Sequence, residues 1–203
     1  MTVIVDYGVG NLFSLKSSLR FVGADVTVTG SARDVRRADK IILPGVGAFG
    51  DAAAKLRRRG LDAAVKDAAA RGSPLLGICL GMQLLFEKSL EFGEHDGLGL
   101  VPGAVRPLSE VLPETYKIPQ IGWNALRLTM PGCPIFKYTD EGECVYFVHS
   151  YHAVDCGASL AATVEYGVDV TAAVARGNVY GCQFHPEKSG EAGLKILRAF
   201  CEI

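Results

Sequence analysis

Leu75-Leu76-Gly77-Ile78-Cys79-Leu80-Gly81-Met82-Gln83 is a short apolar run that ends at a cysteine between two glycines and passes into a helical pattern starting around Met82. A strand that feeds a helix through so tight a turn belongs to a sheet covered by helices. Working outward, the same alternation recurs through the first half. Val3 to Asp6 reads as a strand, and Asn11 then caps a helix that places Leu12, Leu15, Leu19 and Val22 on one face. Ala24 to Thr29 and Lys40 to Leu43 read as further strands, the latter ending in Pro44 and Gly45. Helical stretches cover Asp51 to Leu56 and Leu61 to Ala70. The second half is richer in strand pattern: Ile121 to Leu128, Cys144 to His149, Leu160 to Glu165, Val170 to Ala175 and Asn178 to Phe184, closed by a helix over Ala192 to Cys201. The expected fold is α/β: a mostly parallel central sheet flanked by helices, with a β-rich C-terminal half, in one domain over residues 1–203. In such sheets ligands gather beyond the carboxyl ends of the strands. Gly8 to Asn11, Pro44 to Gly50 and Gly77 to Gly81 therefore point to one rim.

Composition narrows the function. Of the 203 residues, 49% are hydrophobic and 21% charged, and 21 basic against 22 acidic residues leave a net charge of −1. This argues against nucleic acid as a partner. The only single-sign run, Arg57 to Arg59, reads as a solvated helix end before Gly60. No signal peptide and no 18-residue apolar segment is evident, so neither a membrane nor export is expected and a cytoplasmic location is. The six cysteines form no CxxC pair and have no zinc-like histidine spacing. They are expected as reduced thiols with no metal, five of them acting as small buried hydrophobes.

Cys79 is the exception. Gly77-Ile78-Cys79-Leu80-Gly81 resembles a nucleophile elbow, a sharp turn that projects its central side chain while the glycines let neighbouring backbone pass closely. A helix N-terminus beneath a thiol favours the thiolate. Such a nucleophile needs a base that can later protonate the leaving group, and histidine suits that role near neutrality. His185 follows a strand and precedes Pro186 and Glu187. Glu187, two residues on, can hold the far imidazole nitrogen. His95 reads as a solvated loop residue, while His149 and His152 read as pocket-shaping rather than basic.

The pair GICLG with Gln83, and QFHPE from Gln183 to Glu187, resembles the class I, or triad, glutamine amidotransferases, and the resemblance spans essentially the whole chain. Within that family DYGVGN (Asp6 to Asn11), LPGVGAFG (Leu43 to Gly50), PQIGWN (Pro119 to Asn124) and VHSYHA (Val148 to Ala153) are similar to the branch whose glutaminases feed a cyclase that makes imidazole glycerol phosphate and AICAR in histidine biosynthesis.

That resemblance implies roles residue by residue. Cys79 would be the nucleophile, His185 the base and Glu187 its orienting carboxylate. Gly47, Gln83, Ser150 and Tyr151 would contact glutamine. The oxyanion would be met by the N–H of Leu80 and one from Val46 or Gly47, each such donor contributing about 3 kcal/mol. No cofactor is implied. The implied partner is a cyclase subunit with a (β/α)8 barrel, in a heterodimer, faced by Asn11, Pro119, Gln120, Trp123, Asn124 and Lys188, with Trp123 near the start of an ammonia path. Two other readings compete: a glutaminase serving a different synthase, against which PQIGWN argues, and a noncatalytic module in which the elbow cysteine senses oxidation. Gln83 and the His185–Glu187 pair argue against the latter. Gly93 to Leu112 suggests no chemistry.

Overall fold

Runs of Val, Ile and Leu without a polar break can bury both faces, and the strands made of them lie in the middle of the sheet. The computed structural model describes every residue from Met1 to Ile203. In chain order the N-terminal half runs β1 (Thr2–Val5), α1 (Leu12–Phe21), β2 (Val26–Thr29), α2 (Ala32–Arg37), β3 (Lys40–Leu43), α3 (Phe49–Arg58), α4 (Leu61–Ala70), β4 (Leu75–Ile78) and α5 (Leu80–Gln83). β1 and β4 are buried along their whole length. As the spacing predicts, Asn11 caps α1 by accepting the Ser14 N–H at 3.4 Å. The Arg57 to Arg59 run is the exposed end of α3, with Arg57 and Arg59 donating to the carbonyls of Asp96 and Asp6.

The remaining elements are β5 (Lys88–Ser89), β6 (His95–Asp96), β7 (Ala104–Pro107), β8 (Gln120–Leu128), β9 (Cys144–His149), β10 (Tyr151–Val154), β11 (Leu160–Glu165), β12 (Asp169–Arg176), β13 (Val179–Cys182) and α6 (Gly190–Glu202). Nine strands form the main sheet in the order β2-β1-β3-β4-β13-β12-β11-β8-β9. Its first five strands are parallel and the rest antiparallel, so the sheet is evenly mixed where a mostly parallel one was expected. A second sheet, β10-β7-β5-β6, takes in the segment that suggested no chemistry. Its strands are two to four residues long, too short to show a period.

Two apolar cores lie on the two faces of the main sheet. One joins β1, β3 and β4 to α3, α4 and the second sheet; the other joins α1 and α6 to the antiparallel half. Phe200 of α6 meets Tyr180 of β13 edge-on at 6.4 Å. Of the five cysteines expected inside, Cys133, Cys156 and Cys182 are buried, but Cys144 is exposed and Cys201 half-buried, because each sits at the end of its element. No helix is long and apolar enough to cross a membrane.

Two glycines fix how elements meet. A Cβ on Gly81 would lie 1.8 Å from the Leu43 carbonyl, and one on Gly193 would lie 1.9 Å from the Pro186 carbonyl. Alanine normally favours a helix by up to about 1 kcal/mol over glycine. At these two sites the sign should reverse: Gly81→Ala and Gly193→Ala are each expected to destabilise the chain by about 1–3 kcal/mol in urea denaturation. A neutral or stabilising result would show that these backbones do not need their close approach.

Candidate active site

The elbow is built by steric exclusion. Cys79 takes φ 54° and ψ −113°, a region that non-glycine residues avoid. Gly77 and Gly81 permit it, since a Cβ on Gly77 would lie 2.7 Å from the Gly81 carbonyl oxygen. The Cys79 N–H is anchored to the Cys182 carbonyl at 2.8 Å, tying the turn to β13. The helix that follows starts at Leu80, not near Met82, and lasts a single turn before the chain breaks away at Leu84. The helix N-terminus expected beneath the sulfur is present as this one turn, and further positive charge beside it comes from a side chain.

His185 supplies that charge. It leaves β13 in extended conformation, its N–H donates to the Tyr146 carbonyl of β9 at 3.0 Å, and Pro186 to Lys188 form a 3-10 turn. Ser189 fastens this segment by donating to the His185 carbonyl at 2.7 Å and accepting the Tyr146 N–H at 3.0 Å. His185 Nδ1 lies 2.8 Å from Glu187 Oε1, with both side chains only 4% exposed. Burial alone would lower the imidazole, but hydrogen bonds and charge from Cys79 and Glu187 outweigh it and raise it from 6.5 to about 9. The ring is thus biased toward its protonated form, held between sulfur and carboxylate.

Gln183, two residues before His185 and therefore on the same face of the extended chain, is fully buried and donates to Cys79 Sγ at 3.6 Å. Its Oε1 accepts from Gln83 Nε2 at 2.9 Å, and Gln83 also donates to the Tyr151 carbonyl at 3.1 Å. Gln83 therefore braces the wall as well as facing the pocket. Gln183 had no expected role, although its place in the Gln-Phe-His-Pro-Glu run marks it.

A cleft of about 450 Å³ opens over the sulfur. It brings together most of the expected contacts: Val46, Gly47, Leu80, Gln83, Ser150 and Tyr151, together with Pro119 and Lys188 from the expected partner-facing set. Leu80 opens α5, so its N–H has no intrahelical acceptor. The Pro44 to Gly47 loop is pressed against the elbow: the buried Tyr7 hydroxyl donates to the Pro44 carbonyl at 2.7 Å, and a Cβ on Gly45 would lie 3.0 Å from the Gly81 nitrogen. Glu91, Phe92, Val148 and His149 complete the lining. Glu91 is buried and accepts the Phe49 N–H at 2.5 Å, while Phe92 is exposed at φ 53° and meets Tyr151 edge-on at 6.3 Å. Nothing in the sequence around Glu91 and Phe92 signals this position, which depends on the second sheet. No cluster of three or more potential metal ligands is present.

The expected partner-facing residues divide. Asn11 and Trp123 are exposed, Trp123 by 54%, and Lys188 Nζ stands 5.9 Å from the Tyr146 ring centroid. Gln120 is fully buried and Asn124 half-buried, bonded to Gln120 Nε2 at 2.9 Å and to the Glu165 carbonyl at 3.3 Å. Strand alternation sends every second side chain of β8 inward, Gln120 among them, and leaves Ile121 and Trp123 outside.

The model of the family described as "Glutamine amidotransferase class-I" matches residues 3–203. Proteins named "Imidazole glycerol phosphate synthase subunit HisH" are 48% identical over 98% of this chain and 93% of the relative in Bacillus cereus (strain B4264), and 49% identical over 98% and 97% in Sulfurimonas denitrificans. The one from Listeria monocytogenes serotype 4a is 47% identical over 100% of this chain and 96% of its own length. Among solved structures, PurLQS from Thermotoga maritima superposes with a TM-score of 0.78 at 23% identity, over 99% of this chain and 97% of that one, a likeness of fold. With a cysteine elbow, a buried His–Glu pair and this match over nearly its whole length, the chain belongs to the class-I glutamine amidotransferase family.

Proposed function

We infer that the chain is the glutaminase subunit of an imidazole glycerol phosphate synthase, hydrolysing glutamine at Cys79 and passing the ammonia to a cyclase subunit with a (β/α)8 barrel. The observation that carries the chemistry is the buried His185–Glu187 pair, 2.8 Å apart, next to a cysteine whose backbone is forced into an elbow. The name borne by the relatives supports the pathway and the partner.

The reaction follows from these parts. The Cys79 thiolate attacks the carboxamide carbon, and the oxyanion that forms is met by the N–H groups of Leu80 and of Val46 or Gly47. His185 gives its proton to the amide nitrogen, the C–N bond breaks, and neutral ammonia leaves a glutamyl thioester on sulfur. Water then attacks the thioester, giving its proton to the now neutral His185; glutamate departs and the thiolate–imidazolium pair is restored. Gln183 aims the sulfur throughout, and Glu91 offers a carboxylate for the α-ammonium of glutamine. On the outer face of β8, Ile121 and Trp123 offer the cyclase exposed apolar side chains, and Asn11, Pro119 and Lys188 are exposed polar or turn residues of the same partner-facing set.

Cys79→Ala is expected to abolish glutamine hydrolysis while the assembled complex still turns over with added ammonia; loss of both activities would make Cys79 structural. Because the folded value of His185 is raised, its stabilising contacts are complete below pH about 6.5 and are lost as pH rises through about 9. The His185 ring should therefore titrate near 9 by NMR and lower in Glu187→Gln, and the stability lost in that variant should narrow across the same interval. An unmoved titration would remove Glu187 as the orienting group. Trp123→Ala should weaken association with the cyclase by about 2 kcal/mol or more in calorimetry, with a stability change of about 0.5 kcal/mol or less for this exposed site. The reverse pattern would place Trp123 in the fold rather than the interface.

A further inference from the structure

His149 ends β9 and lines the cleft beside the sulfur and His185. Its Nδ1 lies 2.8 Å from the Tyr151 carbonyl, which can only accept, so the single hydrogen of the neutral ring sits on Nδ1 and Nε2 is a bare acceptor. Burial, supplemented by His152 and His185 against the Tyr151 contact, lowers the ring to about 4, so it stays neutral across the working range. No protein group donates to Nε2.

Directly opposite across the β8–β9 ladder, and so on the same face, stands Gln120. Its amide is oriented by a chain of bonds: Asn124 Nδ2 donates to the Glu165 carbonyl, and Asn124 Oδ1 accepts from Gln120 Nε2. Gln120 Oε1 is therefore a second buried acceptor to which no protein group donates. A buried acceptor left without a donor costs free energy, and of these two His149 is the one on the cleft wall, where it marks a corner that takes an N–H donor.

We propose that His149 is a specificity-determining residue of this site, its Nε2 accepting an N–H bond of the substrate carboxamide and repelling a carboxylate. Glutamine offers two such hydrogens on its terminal nitrogen, whereas the product glutamate offers only lone pairs. In the free chain Nε2 is covered, so the contact forms as substrate enters. When His185 protonates the leaving nitrogen, the N–H bonds of that atom become stronger donors, and the contact tightens as the C–N bond breaks. The α-ammonium is a poorer occupant, since a full charge in this corner would lack a carboxylate partner.

The inference rests on the glutaminase reading, and substrates separate the two. Glutamine and the γ-methyl ester of glutamate, whose leaving atom bears no hydrogen, are compared with the cyclase present. If wild type hydrolyses neither, the glutaminase reading fails and this one with it. If wild type is active, His149→Phe should lower kcat/KM for glutamine about tenfold or more beyond its effect on the ester. Inhibition by glutamate should tighten, and His149→Gln, which restores an acceptor, should recover part of the preference for amide. Equal losses on both substrates in a folded His149→Gln chain, or unchanged discrimination in His149→Phe, would overturn the assignment.

Discussion

The backbone of Cys79 is held where it would not rest by itself. A non-glycine residue at positive φ outside the left-handed helical well costs about 1–3 kcal/mol, and it persists only where its surroundings leave no alternative. Here the alternatives are closed on three sides. β4 is buried along its whole length, the Cys79 N–H is spent on Cys182, and Gly81 abuts Leu43 so closely that even a methyl group would not fit. The parallel half of the sheet is thus the device that keeps the sulfur pointing into the cleft, and without it the thiol would be one more small buried side chain.

The other half of the chain brings the base to that sulfur and walls the cleft. The antiparallel strands curl until the residues after β13 lie against β9, where His185 and Ser189 bond to the two polar groups of Tyr146. The short second sheet closes the opposite side through β10, which carries Tyr151, and through the turn between β5 and β6, which carries Glu91 and Phe92. Beside the free N–H groups that open α5, the charged pair of the site is His185 and Glu187. Both are nearly enclosed, which makes their mutual attraction strong.

Much of this could be read from the residues. The Gly77 to Gly81 run and the His-Pro-Glu run each bind local geometry to chemistry, so their meaning survives without coordinates. Long apolar or strongly periodic stretches such as Lys40 to Leu43 and Ala192 to Cys201 likewise declare their elements. What could not be read depends on pairing between distant segments. β5 and β6 are two residues each, and β10 pairs with β7 across more than forty positions of chain, so no local pattern announces them. The start of α2 carries its own local signal, Ser31 accepting the Asp34 N–H as a helix cap. The PQIGWN motif is silent on the alternation that buries Gln120, and Gln183 carries no signal of its own beyond its place two residues before His185.

The attachment of the His185 segment to β9 has a consequence beyond the reaction. β9 is the last strand of its sheet, and a free border of that kind is a template onto which other chains can add. By occupying Tyr146, the stretch that delivers the base also shields this border from self-association. A lesion that unseats residues 185–189 would thus do two kinds of harm at once, silencing the enzyme and leaving a sticky margin for neighbouring molecules to extend.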